Sequence, residues 1–187
     1  MPLQIWSEVS HGTIFAGRIF SLSQARCRSP ENGREFSFDI LDCPDWVNVV
    51  ALTEAGNVVL IRQYRAGTGI ITTEIPGGTV DEGETPLEAA RRELSEETGY
   101  ESDAWELIGR VEPNPAFQTN TTYTFLAGGA RRTQAQRLDD TELIEVEEHR
   151  LDDVPGLIGN GTITHALVVC AFFHLANRRS LVVPAPR

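Results

Sequence analysis

The sequence predicts an α/β fold in which one well-marked helix lies among β-strands and an antiparallel β hairpin precedes them. Residues 85–99 carry the start and stop signals of a helix. Residues 46–52 and 57–64 are apolar runs on either side of a short loop that contains glycine, and residues 36–41 alternate apolar and polar side chains. With 187 residues, 41% of them hydrophobic and 23% charged, the chain can bury one full core and carry an appended element.

The first section, residues 1–43, is expected to form a separate β element. Residues 14–22 and 36–41 are predicted as its two strands, joined across residues 27–34, where Ser-Pro-Glu-Asn-Gly is typical of a turn. Phe36, Phe38 and Ile40 alternate with polar residues, which predicts a half-buried face. Because a two-stranded hairpin is marginally stable alone, this face should pack on the chain's own core or on a second subunit.

The main domain is expected over residues 44–178, and residues 179–187 are expected to form a C-terminal tail. After the opening hairpin and a flexible segment at residues 66–70, strands are predicted at residues 105–112, 121–127 and 143–146. Residues 131–137 contain three arginines and predict an exposed loop of weak order. Closing helices are predicted at residues 151–158 and 163–177, the second with Thr162 as its cap.

The best-defined element is the helix that begins after Thr85. Thr85 is suited to the N-cap, Pro86 to the first helical position, and Glu88 to the third position of a capping box. Gly99 is a natural C-terminal stop. The apolar residues Leu87, Ala90 and Leu94 recur at helical spacing and are predicted to face the core.

An acidic face adjoins this apolar face. Glu93, Glu96 and Glu97 fall together at about 100° per residue, and their like charges would weaken the helix unless something neutralised them. Hard divalent cations such as Mg²⁺ take oxygen ligands and pair with phosphates, so the cluster predicts a magnesium site for a phosphate substrate. The alternative is a solvated acidic helix.

Residues 77–100, GGTVDEGETPLEAARRELSEETGY, resemble the signature of the Nudix hydrolases. That signature is a glycine, five residues, a glutamate, seven residues, and then Arg-Glu-aliphatic-x-Glu-Glu-x-Gly-hydrophobic. The matching positions here are Gly78, Glu84, Arg92, Glu93, Leu94, Glu96, Glu97, Gly99 and Tyr100. The resemblance implies an α/β/α sandwich with a mixed β-sheet, to which the N-terminal β element is added.

Segments around the signature are similar to the branch of this family that acts on ADP-ribose and other nucleoside diphosphate sugars. They are Gln63-Tyr64-Arg65, Glu74-Ile75-Pro76-Gly77-Gly78, and Pro115, although Ala116 stands where that branch usually has glycine. The resemblance implies that Arg65, Glu74 and Gly78 bind substrate. Arg65 could hold a phosphate through two hydrogen bonds or be an ordinary surface arginine. Glu74 could contact a base edge or a ribose hydroxyl, or cap a turn.

The resemblance also implies the metal site and the catalytic residues. The Gly77 carbonyl and the carboxylates of Glu93, Glu96 and Glu97 would hold two or three Mg²⁺ or Mn²⁺ ions, which lower the pKa of a bound water. Glu142 is the first candidate for the general base, ahead of Asp140 and a glutamate of the signature. A solvated acidic loop is the alternative for residues 139–142.

Four other residues receive lesser roles. Glu84 and Arg92 are expected to form an ion pair that fixes the loop on the helix. Phe117 is expected to fill the core beneath its loop, with stacking on a base as the alternative. His165 is expected to be exposed or to lie at the edge of the core.

The expected function is metal-dependent hydrolysis of the pyrophosphate bond of a nucleoside diphosphate sugar, which for ADP-ribose gives AMP and ribose 5-phosphate. The alternatives are a Nudix hydrolase of another nucleotide, such as a nucleoside triphosphate, a dinucleoside polyphosphate or a capped RNA, and a non-catalytic sensor of nucleotide sugars. A sensor would be expected to have lost Glu93, Glu96 or Glu97, and all are present. Because members of this branch commonly dimerise through an N-terminal sheet, the resemblance implies a homodimer.

Composition excludes several other classes of protein. The net charge of −11 and the absence of a basic stripe argue against nucleic acid as a partner. Cys27, Cys43 and Cys170 are odd in number and widely spaced, which indicates reduced thiols in place of disulfides or a zinc site. No apolar run is long enough to predict a membrane span, and no secretion signal is evident, so the expected location is the cytoplasm.

Overall fold

The computed structural model describes residues 2–178, so the predicted tail at residues 179–187 lies outside the described residues. Contacts within the chain divide it into two compact units. The first contains Met1–Pro44 and Glu112–Thr121, and the second contains Asp45–Val111 and the chain from Thr122 onward. The N-terminal unit therefore includes the proline-containing segment at residues 112–121 in addition to the predicted β element.

The N-terminal unit is a three-stranded antiparallel sheet of β1 (Ser7–Ala16), β2 (Ser21–Arg28) and β3 (Glu35–Asp42) in that order. The predicted first strand at residues 14–22 is wrong, because those residues span a turn that is closed by a 2.9 Å hydrogen bond from the Gly17 amide to the Phe20 carbonyl. The loop between β2 and β3 lies within the predicted one. In the segment at residues 112–121, the Phe117 carbonyl accepts a 2.7 Å hydrogen bond from the Leu41 amide.

The aromatic residues of this unit are more exposed than the sequence predicts. Phe36 and Phe38 are 40% and 43% exposed, and the ring of Trp6 meets both edge-on. Phe117 is 42% exposed, so the prediction that it fills a core is wrong. The predicted half-buried face on β3 is therefore not formed within the described chain.

The second unit contains an eight-stranded mixed sheet. Its strands are β4 (Trp46–Thr53), β5 (Asn57–Arg65), β6 (Ile70–Glu74), β7 (Gly77–Thr79), β8 (Tyr100–Glu101), β9 (Ala104–Val111), β10 (Thr122–Arg132) and β11 (Ile144–Arg150). The order is β11-β5-β4-β10-β8, with β6 on β5, β7 on β4 and β9 on β10. Only β4 and β10 pair in parallel among these strands.

The sheet has a seam between β4 and β5, which are paired in register at Leu52 and Val58. The chain from Ile70 to Thr79 runs beside this seam and changes partner, since β6 pairs with β5 and β7 pairs with β4. Between β6 and β7, the Pro76 carbonyl accepts a 2.8 Å hydrogen bond from the Val49 amide. The change of partner brings β6 and the glycines of β7 to the same region of the sheet.

Helices cover both faces of this sheet. Helix α1 (Pro86–Thr98) packs on a cluster that includes Val49, Ala51 and Val59. Helices α2 (Val154–Gly159) and α3 (Ala166–Asn177) pack on a cluster that includes Val50 and Val58. Because neighbouring strand residues point to opposite faces, one run of buried residues serves both cores. The predicted α/β/α sandwich is confirmed.

The C-terminal part of the chain differs in detail from the prediction. A short 3₁₀ turn (Leu151–Asp153) precedes α2, and α3 begins after His165, so the prediction of Thr162 as its cap is wrong. Across residues 2–178, no helix combines the length and the apolar character that crossing a membrane requires.

Residues 133–137 close the C-terminal end of α1. The Thr133 amide donates to the Gly99 carbonyl at 2.9 Å, and the Arg137 amide donates to the Glu96 carbonyl at 2.8 Å. The Gln136 side chain donates to the carbonyls of Glu97 at 2.7 Å and Ile144 at 3.1 Å. These partners satisfy helix-end carbonyls that would otherwise be unpaired. The prediction of a weakly ordered loop at residues 131–137 is therefore wrong.

Candidate active site

Helix α1 is fixed at both ends by residues that the sequence identifies. Thr85 and Glu88 form the predicted capping box, with Pro86 in the first turn. Gly99 is the left-handed C-cap, with φ of 74°, and its amide donates to the Ser95 carbonyl. Ala90 and Leu94 are fully buried and Leu87 is partly buried against the same core. The orientation of the helix is thereby set, and with it the direction of its acidic face.

Glu97 is the most deeply buried carboxylate of that face, at 3% exposure. Its Oε2 accepts a 2.8 Å hydrogen bond from the Gly77 amide. Burial raises the pKa of Glu97 well above its ordinary value, and the nearby carboxylates of Glu93 and Glu142 raise it further, whereas the hydrogen bond from Gly77 opposes the shift. Negative charge at Glu97 is therefore strongly disfavoured unless a cation is close.

Glu93 is also largely buried. Burial raises its pKa, and the Arg92 guanidinium only partly offsets that effect. A Cβ atom at Gly78 would overlap the Glu93 carboxylate, and one at Gly77 would overlap the Val47 carbonyl. Both glycines are therefore required by close approach, Gly77 to β4 and Gly78 to the acidic face of α1.

Arg92 connects the loop before α1 to its acidic face. Its guanidinium donates to both oxygens of Glu84, at 3.0 and 2.9 Å, which confirms the predicted ion pair. It also donates to Glu93 at 2.8 Å, to the Thr79 carbonyl at 2.9 Å and to Glu96 at 3.4 Å. Its donors are consumed within the protein, so Arg92 holds the loop in place.

The carboxylates of Glu93, Glu96 and Glu97 are suitable ligands for a divalent cation, but they do not converge on one point. Within residues 2–178, no group of three or more His, Cys, Asp or Glu side chains is arranged to hold a metal ion. The predicted set of three is divided, because Glu93 and Glu97 are buried whereas Glu96 lies at the rim with 35% of its side chain exposed. Two buried carboxylates that disfavour their own charge are the oxygen donors that a hard cation would stabilise.

Arg65 and Glu74, the two predicted substrate contacts outside the signature, bind each other. Arg65 donates from Nε to Oε1 and from Nη2 to Oε2 of Glu74, both at 2.8 Å. The Thr72 hydroxyl donates to the same Oε1 at 2.6 Å. Burial would raise the pKa of Glu74, but these hydrogen bonds hold it below the ordinary value. Both oxygens of Glu74 are engaged and the residue is 2% exposed, so the structure favours a role in positioning Arg65 over the predicted contact with a base, a ribose or a turn.

Arg65 lies near the acidic face of α1, close enough for the charge of Glu97 to act on it. The pKa of Arg65 is raised mainly by its hydrogen bonds to Glu74, with further contributions from Glu97 and Glu142. Because Glu74 occupies the Nε–Nη2 side of the guanidinium, the Nη1 end points away from that carboxylate. A bound phosphate could be met by that end.

The acidic loop at residues 139–142 lies on the same side. The Glu142 carboxylate accepts a 3.1 Å hydrogen bond from the Asp139 amide, and the residue is partly exposed. Its charge acts on Glu93 and Glu97, whose pKa values it raises. Asp140, the second candidate for the general base, is also exposed. The structure thus brings Glu142 into the electrostatic environment of the buried pair.

His165 joins the site, although sequence reasoning gave it no function. Its Nδ1 lies 3.5 Å from Oε2 of Glu74, and its side chain is 42% exposed. The prediction of a position at the core edge is confirmed. No sequence signal pairs it with Glu74, because the two residues meet only when α3 packs on the sheet.

Comparison with known proteins agrees with this geometry. Residues 44–172 match the NUDIX domain family. The chain is 31% identical over 169 residues to an ADP-ribose pyrophosphatase of Bacillus subtilis (strain 168), which covers 90% of this chain and 91% of that protein. It is also 31% identical over 169 residues to a methanol dehydrogenase activator of Bacillus methanolicus, with the same coverage of each chain.

A solved structure, described as the crystal structure of an ADP compounds hydrolase, has a TM-score of 0.83 to this chain at 22% sequence identity. It covers 95% of each chain. At this identity the likeness establishes a shared fold, in agreement with the layers described above.

Proposed function

This chain belongs to the Nudix hydrolase family, and from that membership we propose that it hydrolyses the pyrophosphate bond of a nucleoside diphosphate sugar. The first candidate is ADP-ribose, with AMP and ribose 5-phosphate as products. The observation that carries the proposal is the buried pair Glu93 and Glu97 with the Arg65 guanidinium close by. Such a site can accept a cation and a phosphate group together.

Relatives point to the same class of substrate. In addition to the Bacillus subtilis protein, the chain is 32% identical over 124 residues to an ADP-ribose pyrophosphatase of Mycobacterium tuberculosis. The chain is as similar in sequence to the methanol dehydrogenase activator as it is to the Bacillus subtilis ADP-ribose pyrophosphatase, so sequence identity does not indicate which of the two has the same substrate. The choice of ADP-ribose therefore depends on direct assay.

We assign the metal to Glu93, Glu96, Glu97 and the Gly77 carbonyl, with Mg²⁺ as the first candidate and Mn²⁺ as the second. When bound, the metal would neutralise the pyrophosphate and supply a more acidic water. Gly77 has a second task here, since its amide holds the Glu97 carboxylate in place. Arg92 keeps the loop of residues 79–84 on the helix, which fixes the glycines relative to the carboxylates.

Glu142 is the proposed general base. It is partly exposed, so its carboxylate can meet a water molecule, and its loop is tied to the acidic helix because Gln136 bridges the carbonyls of Glu97 and Ile144. The Glu142 carboxylate would accept a proton from a water molecule. The oxygen of that water would bond to one phosphorus of the pyrophosphate while the bond from that phosphorus to the bridging oxygen breaks, and the other phosphate group would leave with the bridging oxygen. Gly78 stays a proposed substrate contact through its backbone, because the Glu93 carboxylate occupies the space that a side chain there would take.

We also propose that the protein is a homodimer that uses its N-terminal sheet. Phe36, Phe38 and Trp6 form an exposed aromatic group on that sheet, and Ile14 and Phe15 of β1 are 59% and 56% exposed. Apolar surface of this kind is stabilised when a second copy covers it. Sedimentation of the full chain and of a Phe36→Ser/Phe38→Ser variant tests this proposal, which predicts a dimer for the first and a monomer for the second.

Product release from a panel of nucleotides tests the main proposal. The panel contains ADP-ribose, GDP-mannose, UDP-glucose, nucleoside triphosphates and dinucleoside polyphosphates, each with Mg²⁺ and with EDTA. Metal-dependent cleavage of the diphosphate sugars alone is the expected result. Cleavage of triphosphates alone would refute the assigned substrate class, and binding without cleavage would identify a sensor.

A further inference from the structure

Glu74 is a buried carboxylate that is contacted by two basic side chains, those of Arg65 and His165. Arg65 donates two hydrogen bonds to it. His165, which comes much later in the sequence, has its Nδ1 3.5 Å from Oε2 of Glu74. The carboxylate is 2% exposed, whereas the Arg65 and His165 side chains are 44% and 42% exposed. One buried anion therefore fixes two basic groups that both reach solvent.

The position of His165 is not explained by helix capping. His165 is the N-cap residue of α3, yet its side chain makes no capping hydrogen bond. Serine, threonine, aspartate or asparagine at an N-cap would satisfy a free amide, and histidine is not among the preferred residues. Its Nδ1 is buried and makes no hydrogen bond within the described chain. The side chain is directed at Glu74 instead of the helix end.

The charge of the site gives these two residues a role. The neighbouring carboxylates Glu93, Glu97 and Glu142 repel a polyanionic substrate, and Arg92 spends its donors within the protein. Arg65 is paired with Glu74, so the charges of that pair cancel. The half-exposed ring of His165 lies beside the pair and offers Nε2 as a further hydrogen-bonding group for a phosphate oxygen.

We propose that His165 is a substrate-binding residue that contacts a phosphate group of the nucleoside diphosphate sugar through Nε2, and that Glu74 is the positioning residue that sets it beside Arg65. This inference rests on the proposed function. It adds the N-cap residue of α3 to a site that is otherwise built from β5, β6, β7, α1 and the loop before β11. It also explains why Glu74 is buried with both of its oxygens engaged.

The substitution His165→Ser separates binding from folding. Serine is a preferred N-cap, so the thermal midpoint of the variant should equal or exceed that of the wild type. The affinity for ADP-ribose, measured by calorimetry in EDTA, should fall about tenfold or more, since a hydrogen bond to a charged group is lost. With Mg²⁺ present, KM should rise more than kcat falls. A merely structural histidine would give the opposite pattern, with a changed midpoint and unchanged affinity.

Two further variants sharpen the test. His149→Ser is the matched control, because His149 also contacts a carboxylate, Glu147 at 2.9 Å, but lies on β11 opposite Val58, at the other end of β5 from Arg65. It should bind ADP-ribose as the wild type does. In a cycle with Glu74→Gln, the effect of His165→Ser should shrink, because contacting residues that act together are not additive.

The outcomes distinguish the inference from the proposed function. If the wild type binds and cleaves ADP-ribose and His165→Ser does so equally well, the proposed function stands and the inference is refuted. If the two effects in the cycle simply add, the assignment of Glu74 as the positioning residue for His165 is refuted. If the wild type neither binds nor cleaves any diphosphate sugar, both are refuted.

Discussion

Replacing Gly99 with alanine would test how the C-terminal end of α1 is held. Gly99 has φ of 74°, a left-handed conformation that destabilises an L side chain by about 1–2 kcal/mol. A Cβ atom at Gly99 would also overlap the Gln134 carbonyl, which is backbone and cannot rotate away. Overpacking of this kind costs a further 1–3 kcal/mol or so. We expect Gly99→Ala to lower the free energy of unfolding by about 2–5 kcal/mol.

Gly56→Ala is the matched control. Gly56 has φ of 80°, but a Cβ atom there would have no heavy atom within 4 Å. It should therefore lose only the conformational part, about 1–2 kcal/mol. At about 3 °C for each kcal/mol in a chain of this size, the midpoints should fall by roughly 3–6 °C for Gly56→Ala and roughly 6–15 °C for Gly99→Ala.

Urea unfolding followed by circular dichroism measures the two free energies. Gly99→Ala should also lower turnover, because Gln134 is close in sequence to Gln136, which bridges the Glu97 and Ile144 carbonyls and so ties the loop of Glu142 to the helix. Gly56 lies in the β4–β5 turn, and its variant should keep full turnover. Equal losses of stability in the two variants would show that residues 133–137 do not press on Gly99, and the argument from close approach would fail.

The other predictions concern two carboxylates whose pKa values are shifted in the folded protein, Glu97 and Glu148. Glu97→Gln should lower turnover at least a hundredfold while its thermal midpoint at pH 7 equals or exceeds that of the wild type. Burial raises the folded-state pKa of Glu97, so the contribution of this group to the stability of the wild type is complete below about pH 4.5 and is lost as the pH rises through the folded pKa. Over that pH range, the thermal midpoint of Glu97→Gln should rise relative to that of the wild type. Thermal scans in EDTA would measure this difference. Full turnover of the variant would refute the assignment of Glu97 to the proposed metal site. Tyr100→Phe removes a 2.6 Å hydrogen bond to Glu148 and should lower the free energy of unfolding by about 0.5–1 kcal/mol after allowance for solvent. That bond lowers the pKa of Glu148, and burial together with the same bond raises the pKa of Tyr100 to about 12. The loss should therefore be present above about pH 4.5 and vanish as the pH falls through the folded pKa of Glu148. A loss that persists at lower pH would contradict the role of Glu148.

Local signals made helix α1 the most predictable element. Its cap, its first-turn proline and its terminal glycine act through neighbours within a few residues, so a sequence displays them directly. Strand β1 carries no such signal, because all of its residues are exposed and no alternation of burial marks it. The order of residues 133–137 is not visible in the sequence for a related reason. The amides of Thr133 and Arg137 donate to carbonyls at the end of α1, and polar composition alone does not reveal such distant contacts.

The geometry of the candidate site was predictable to a similar degree. The spacing of the signature predicted the Glu84–Arg92 ion pair and the shared helix face of Glu93 and Glu97, because these residues lie on one loop and one helix. The pairing of Arg65 with Glu74 depends on the register of the β5–β6 hairpin, in which Ile61 is opposite Glu74 and Arg65 is opposite Ile70. Two residues that separately suggest substrate contacts can therefore satisfy each other. His165 depends on tertiary packing and could not be assigned from the sequence.

The contacts of Arg92 affect the stability of the metal-free protein. Its guanidinium supplies positive charge to Glu84, Glu93 and Glu96, so α1 does not need a bound ion to offset their repulsion. In many small metalloproteins, by contrast, the ion and the fold appear together and a chelator unfolds the chain. We therefore expect the protein to fold and remain stable as an apoprotein. The supply of the proposed metal would then govern its turnover in the cell, and would not govern how much folded protein is present.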